Sequence, residues 1–179
     1  MSTRLVILGL LKDQSLHGYE IKQIIEKHMG DWTSIAFGSI YFALGKMSEE
    51  GLIKKVATEQ EGNRPSRSIY QITAAGRKEF LRLLREVWSE FERQYFGIDI
   101  GLAFMSALPA NEIQKYLHKR VEVLEGVVRI LNSHQKEQMT QPDIPNSAEA
   151  IFEHSHAHLA AELSWTRDVL KKVKRGEFV

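Results

Sequence analysis

The 179-residue chain contains no cysteine. Without cysteine it can form no disulfide, thiolate nucleophile or cysteine-ligated zinc site, which excludes disulfide-stabilised extracellular scaffolds and cysteine enzymes. The apolar run 5–11 is too short to cross a bilayer and lacks the small-residue cleavage site of a secretory signal. We therefore predict a cytoplasmic protein, in a reducing compartment and without a membrane partner.

The chain also lacks an excess of charge of either sign and the common catalytic motifs. Its formal net charge is +1, so attraction to nucleic acid would have to come from the local placement of basic residues. It has no Gly-x-Ser-x-Gly elbow, no Gly-x-Gly-x-x-Gly loop and no phosphate loop ending in Gly-Lys-Ser or Gly-Lys-Thr. These gaps predict that the protein is not an enzyme and has no catalytic residues and no cofactor.

The segment 38–73 carries most of the information about the fold. Ile40, Leu44 and Met47 recur at helical spacing, which predicts a helix with one side on a core. The other side is lined by Ser39, Phe42, Lys46 and Glu49. Gly51 is suited to a left-handed helix cap, and a short strand, a polar tip at 59–67 and a second strand at 67–73 follow. A helix that leads into a hairpin in this way predicts a winged helix.

Helical patterns occupy most of the remaining chain. Two short helices precede the segment, and further helices are expected from residue 75, over 98–107, over 110–139 and over 148–174. We predict a mainly α protein with a winged helix-turn-helix domain and small β-hairpin wing at 1–76, and an α-helical dimerisation and effector-sensing domain at 77–179. The long helix and the apolar stripes at 80–91 and 159–169 predict an isologous homodimer.

Several motifs in the first half occur in a fixed order: Leu-Leu, His-Gly-Tyr-Glu-Ile, Gly-Ser-Ile-Tyr, Glu-Glu-Gly-Leu-Ile and Tyr-Gln-Ile-Thr-Ala-Ala-Gly-Arg. This series closely resembles the PadR family of bacterial winged-helix transcriptional regulators over residues 4–80. The C-terminal half resembles the family's longer, helical-tailed branch, through its length and the Leu163-Ser164-Trp165 segment. The resemblance implies a homodimeric DNA-binding repressor that a small aromatic or apolar effector releases. The chain departs from the family at Phe42 and Gly45, where members often carry basic residues.

The resemblance also implies a DNA face and a preferred operator. The DNA face comprises Ser34, Ser39, Tyr41, Lys46, Arg64, Ser66 and Arg67. The Tyr41 hydroxyl is expected to contact a phosphate, with a packing role for this residue as the less favoured alternative. Ser39 could be a helix N-cap as well as a contact. A two-fold dimer predicts double-stranded operator DNA with an imperfect inverted repeat.

Effector binding is predicted for aromatic residues that could face the junction between the domains, with histidines as polar anchors. These residues are His17, Tyr19, Trp88, Phe91, Tyr95, Phe96, Phe152, His154 and Trp165. The same side chains could instead fill the core and the dimer interface.

Two other functions stay open at the level of sequence. A winged helix can be a protein-interaction module, and the near-neutral charge favours that reading. The run His154, His156 and His158, extended by Glu162, could serve a metal-dependent helical enzyme, because histidines four apart share a helix face. No carboxylate stands between the histidines where a metalloprotease helix requires one, so solvent-facing or hydrogen-bonded histidines are expected and no metal site is predicted.

Overall fold

The computed structural model describes residues 3–30, 33–59, 67–91, 93–141 and 144–178, and of residues 58, 59 and 67 it describes the backbone alone. Within these ranges the elements are, in chain order, α1 (Thr3–Leu10), β1 (Leu16–His17), α2 (Gly18–His28), α3 (Phe37–Glu49), β2 (Ile53–Glu59), β3 (Arg67–Ile72), α4 (Ala74–Ser89), α5 (Gly97–Ala103), a 3₁₀ turn (Met105–Ala107), α6 (Ala110–Gln138) and α7 (Ala148–Lys174). The predicted mainly α winged-helix fold, followed by a helical region, is confirmed. The chain forms two compact units, Met1–Glu92 and Arg93–Val179. The functional division after residue 76 stays a prediction.

The first unit is built around one aliphatic core, to which α1, α2, α3 and the sheet all contribute. The fully buried side chains of α3 are Ile40, Leu44 and Met47, as their helical spacing predicts. Gly51 has φ +72°, a left-handed conformation that glycine adopts without steric cost, and it follows the last turn of α3. The helix therefore ends where the sequence predicts, and the chain turns directly into β2.

The sheet has three antiparallel strands in the order β1-β3-β2, where the sequence predicted two. In the additional pairing Leu16 lies opposite Tyr70 and His17 opposite Ile69. Strand β1 spans only two residues, too few to produce an alternating pattern, and this is why its sequence did not reveal it. It attaches the start of α2 to the hairpin.

A tight corner connects the hairpin to α4. Thr73 is the N-cap residue: its hydroxyl oxygen accepts a hydrogen bond from the Gly76 N–H at 3.1 Å. Its backbone N–H donates to the Leu52 carbonyl at 3.0 Å. Gly76 packs so closely on this corner that a Cβ there would lie 2.0 Å from the Leu52 carbonyl oxygen. Phe80 and Leu83 then pack α4 on the core of the first unit.

The second unit is dominated by the antiparallel pair α6 and α7. Ile113 and Leu117 of α6 pack against Val169, Leu170 and Val173 of α7. The helix ranges predicted at 110–139 and 148–174 are confirmed. Because Val169 is buried within the chain, the expectation that it lies in a dimer interface is wrong for that residue.

Ion pairs join α6 and α7 outside their apolar seam. Arg120 donates to Glu162 and Arg167 donates to Glu125, each at 2.6 Å. Both pairs are partly exposed to solvent, so each is expected to stabilise the helix pair only modestly.

Candidate nucleic-acid interface

The exposed side of α3 is the surface that could enter a DNA groove. Because Ile40, Leu44 and Met47 face the core, the opposite side of the helix is presented to solvent. That side carries Phe37, Gly38, Tyr41, Phe42, Gly45, Lys46 and Glu49. It combines aromatic rings, two glycines, one cation and one anion, and so differs from a purely basic phosphate-binding surface.

Tyr41 both packs against the protein and reaches solvent. A Cβ on Gly18 would lie 3.0 Å from Tyr41 Cε1, so the absence of a side chain at Gly18 makes room for the ring. The ring also makes an edge contact with Phe37, with centroids 5.0 Å apart. The residue is still 44% exposed, and within the described residues its hydroxyl has no hydrogen-bond partner. The packing reading therefore holds for the ring, and the hydroxyl remains available to a phosphate.

Lys22 of α2 adds a cation to this surface that the sequence did not reveal. Its Nζ lies 4.5 Å from the centroid of the Phe37 ring and 5.9 Å from that of Tyr19. It also lies 3.5 Å from Glu26 Oε1, an exposed pair with modest energy. Cation–π contacts of this kind hold the ammonium group beside the N-terminus of α3. No local pattern relates a lysine on one helix to a ring on the next, so only the tertiary structure shows the association.

The predicted serines and Lys46 lie around the same helix. The N-cap residue of α3 is Ala36, so the reading of Ser39 as the N-cap is wrong. The Ser39 hydroxyl instead donates a hydrogen bond to the Ala36 carbonyl at 2.6 Å. Ser34 is exposed in the segment before the helix, and Lys46 is exposed near its end.

The predicted wing contacts cannot be placed. Arg64 and Ser66 lie outside the described residues, and of Arg67 only the backbone is described, as the first residue of β3.

The residues predicted to bind an effector are distributed over both units. In the first unit His17 is the N-cap of α2, where its backbone N–H donates to the Glu20 carboxylate at 2.6 Å. Tyr19 lies on α2 beside Lys22. Trp88 and Phe91 are among the most exposed large apolar side chains, at 84% and 92%.

The second unit holds the remaining members of that set. Phe152 is buried, with its ring against His134, whereas Trp165 packs beside the Ile113 and Leu117 cluster. Phe152 and Trp165 are thirteen positions apart along one continuous helix, which places them about 20 Å apart. These two aromatics therefore do not share one small pocket. Tyr95 and Phe96 are exposed before α5, and His154 is exposed on α7.

The histidine run does not converge on one point. Nε2 of His154 lies 3.2 Å from Nε2 of His158 on the exposed side of α7, whereas Nε2 of His156 lies 2.9 Å from the Gln135 side-chain oxygen. Glu162, the fourth member considered, pairs with Arg120. Across the described ranges no three histidine, aspartate or glutamate side chains gather as metal ligands would. The geometry gives the metalloenzyme reading no support.

Two further features bear on function. In the part of the chain that the structure describes, no helix combines the length and the apolar character needed to cross a membrane. A surface cavity of about 380 Å³ lies along the outer side of α6. It is lined by Arg129, Ile130, Ser133, His134 and Glu137, none of which the sequence singled out.

Comparison with known proteins bears on both units. Residues 7–82 match the transcriptional regulator PadR-like family. The negative transcriptional regulator PadR of Bacillus subtilis (strain 168) is 27% identical over 145 residues, which cover 76% of this chain and 79% of the relative.

Solved structures extend the likeness over nearly the whole chain. Bacillus subtilis PadR in complex with operator DNA aligns with a TM-score of 0.79 at 21% identity, over 95% of this chain and 98% of that one. The same protein in complex with p-coumaric acid aligns with a TM-score of 0.76 at 20% identity, over 96% of this chain and 98% of that one. The Vibrio cholerae virulence activator AphA aligns with a TM-score of 0.79 at 20% identity, over 97% of this chain and 99% of that one. At these identities the structures establish a shared fold.

Proposed function

We propose that the chain is a PadR-like transcriptional regulator, the family that its residues 7–82 match, and that it acts as a sequence-specific DNA-binding repressor. It is a regulator and not an enzyme, and its proposed location is the cytoplasm. The observation that carries the proposal is the solvent-facing side of α3, which presents Tyr41, Phe42 and Lys46 opposite a fully buried side. A helix about 10–12 Å across fits the major groove, which is about 12 Å wide.

In the proposed complex the contacts divide into two classes. Tyr41, Lys46 and Lys22 contact phosphates and set the position of α3, as do Ser34, Ser39 and the wing residues Arg64, Ser66 and Arg67. Base edges are read by side chains on the exposed side of α3. That Bacillus subtilis PadR has been solved with operator DNA supports DNA as the partner of a chain with this fold.

We propose a homodimer on an imperfect inverted repeat, with half-site centres about one helical turn or a multiple of it apart. Exposed apolar surface supports the dimer. Val87, Trp88 and Phe91 are exposed at the end of α4, and Val123, Val127 and Ile130 form a stripe on the outer side of α6. Patches of this kind usually mark a surface that another molecule covers.

A small aromatic effector is proposed to release the DNA. The complex of Bacillus subtilis PadR with p-coumaric acid supports an aromatic acid as the chemical class. Such a ligand must bind the DNA-free arrangement of the dimer more tightly than the DNA-bound one, by about 1.4 kcal/mol for each tenfold loss of operator affinity. A titration of aromatic acids that follows tryptophan emission and operator binding together tests this part.

The DNA proposal is tested by salt dependence with charge-matched variants. The full chain is titrated on a fragment from upstream of its own gene, and the logarithm of affinity should fall linearly with that of salt concentration. Lys46→Ala should reduce the slope by about one unit, as should Arg64→Ala or Arg67→Ala. Lys115→Ala, which removes the same charge from an exposed site in the second unit, should leave it unchanged.

Two results would contradict the proposal. One is binding that does not distinguish the fragment from scrambled DNA; the other is an equal effect of Lys46→Ala and Lys115→Ala. A protein-interaction module is the second candidate, favoured by the net charge of +1 and by the exposed Phe42. A protein of this kind would bind no DNA fragment specifically at any salt concentration.

A further inference from the structure

Phe42 is a large apolar side chain at the middle of the α3 surface and is 73% exposed. None of the ring contacts among the described residues involves it. An isolated exposed phenylalanine is common on protein surfaces and needs no explanation by itself. Its neighbours on the helix surface are what set this one apart.

The neighbours of a residue on a helix surface lie three and four positions away on either side. For Phe42 these positions are Gly38, Ser39, Gly45 and Lys46. A Cβ built on either glycine would meet no atom within 4 Å. Neither glycine is therefore explained by close packing inside the chain, although glycine weakens a helix. The hydroxyl of Ser39, another neighbour, is directed back to the Ala36 carbonyl. The Phe42 ring thus has bare helix backbone beside it at two of its four neighbouring positions, and Lys46 is the one long side chain among the other two.

We infer that Phe42 reads thymine C5-methyl groups in the major groove, and that Gly38 and Gly45 let the backbone of α3 come close enough for it to do so. The inference rests on the proposed DNA-binding function and names the residue that sets its sequence preference. The thymine methyl is the apolar group on the major-groove edge of the base pairs, and phenylalanine is one of the side chains that contact it. An apolar ring gains nothing from phosphate, so its contribution is to specificity and not to the salt-dependent part of the affinity.

The experiment removes the methyl group and nothing else. In a fragment that the full-length protein binds specifically, each thymine of a half-site is replaced in turn by deoxyuridine, which keeps every hydrogen-bonding group. The wild-type protein should lose about fourfold in affinity at the thymines that are read, the equivalent of ~0.8 kcal/mol for one buried methylene-sized group. Phe42→Ala should bind the thymine and deoxyuridine forms equally.

Two further variants separate the ring from its surroundings. Phe104→Ala removes a ring that is 70% exposed in the second unit, and it should show the wild-type preference for thymine. Gly45→Met places a flexible side chain beside Phe42 on an exposed helix position, and it should weaken specific binding at least tenfold without lowering the melting temperature. Circular dichroism confirms that each variant is folded.

The outcomes distinguish this inference from the proposed function. If the wild-type protein shows no sequence-specific DNA binding, the proposed function fails, and the inference fails with it. If it binds specifically but tolerates deoxyuridine at every position, or if Phe42→Ala keeps the preference for thymine, the function stands and the role of Phe42 is wrong. If Gly45→Met binds as the wild type does, the close approach of the helix backbone is wrong.

Discussion

Gly76 and Gly45 should respond in opposite directions to the same substitution, glycine to alanine. A Cβ at Gly76 would lie 2.0 Å from the Leu52 carbonyl oxygen and 2.8 Å from Ile72 Cγ1, whereas one at Gly45 would meet nothing within 4 Å. Both glycines lie in helices. The pair therefore separates the cost of a steric clash from the gain in helix propensity.

The magnitude for Gly76→Ala follows from what must move. Contacts shorter than 3.0 Å are essentially never made by a Cβ, so the Leu52 carbonyl or the start of α4 must shift by about 1 Å. Overpacking typically costs ~1–3 kcal/mol. The shift also weakens the hydrogen bond from the Thr73 N–H to this carbonyl, worth roughly 1 kcal/mol. The helix propensity of alanine offsets roughly 1 kcal/mol, which leaves a net loss of about 1 to 3 kcal/mol.

Thermal and denaturant unfolding of the full chain, at fixed protein concentration, measures both variants. Gly76→Ala should lower the melting temperature by roughly 2–12 °C, because each kcal/mol corresponds to roughly 2–4 °C in a protein of this size. Gly45→Ala should raise it by a few degrees. A Gly76→Ala protein as stable as the wild type would refute the close packing at this corner. A destabilised Gly45→Ala protein would refute the open surroundings of α3.

Hydrogen bonds from Arg82 hold the pKa of Glu79 below its usual value. This carboxylate therefore stabilises the fold fully above the usual pKa, and its contribution fades as the pH falls through the lowered pKa. Glu79→Gln should flatten this acid-side loss of stability in urea melts at pH 3 to 6, and an unchanged profile would contradict the assignment. A double-mutant cycle on Arg120 and Glu162 should give a coupling of about 0.5–1 kcal/mol, and a value near zero would show that the 2.6 Å contact adds nothing to stability. Removal of residues 148–179 should expose the apolar side of α6. The truncated protein should be aggregated or monomeric on gel filtration and should show no operator affinity in filter binding. A stable truncated dimer that binds DNA would be inconsistent with the proposed role of the second unit.

Local sequence patterns were enough for most of the elements, although not for the two-residue strand β1. The buried side of α3, its end at Gly51 and the extents of α6 and α7 are set by side-chain periodicity and by the conformational freedom of glycine. Side-chain periodicity and glycine conformation each act over a few residues, so they can be recognised in the sequence without knowledge of the fold. The ordered motifs between residues 4 and 80 revealed the resemblance to the PadR-like family for the same reason, because each motif describes one local turn or helix end.

Only the tertiary structure decided which side chains of different elements meet. It brought Lys22 of α2 over Phe37 of α3, turned His156 to Gln135 and away from its neighbouring histidines, and buried Val169 against α6. It also showed that Gly38 and Gly45 have open space beside them, so that two of the helix positions next to Phe42 carry no side chain. Such contacts depend on the angle and spacing at which whole elements pack, and no periodicity within one element contains that information. The sequence by itself therefore determined the helices, the turns and the likeness to a family of regulators, and the packing of those helices decided which residues form the proposed binding surface.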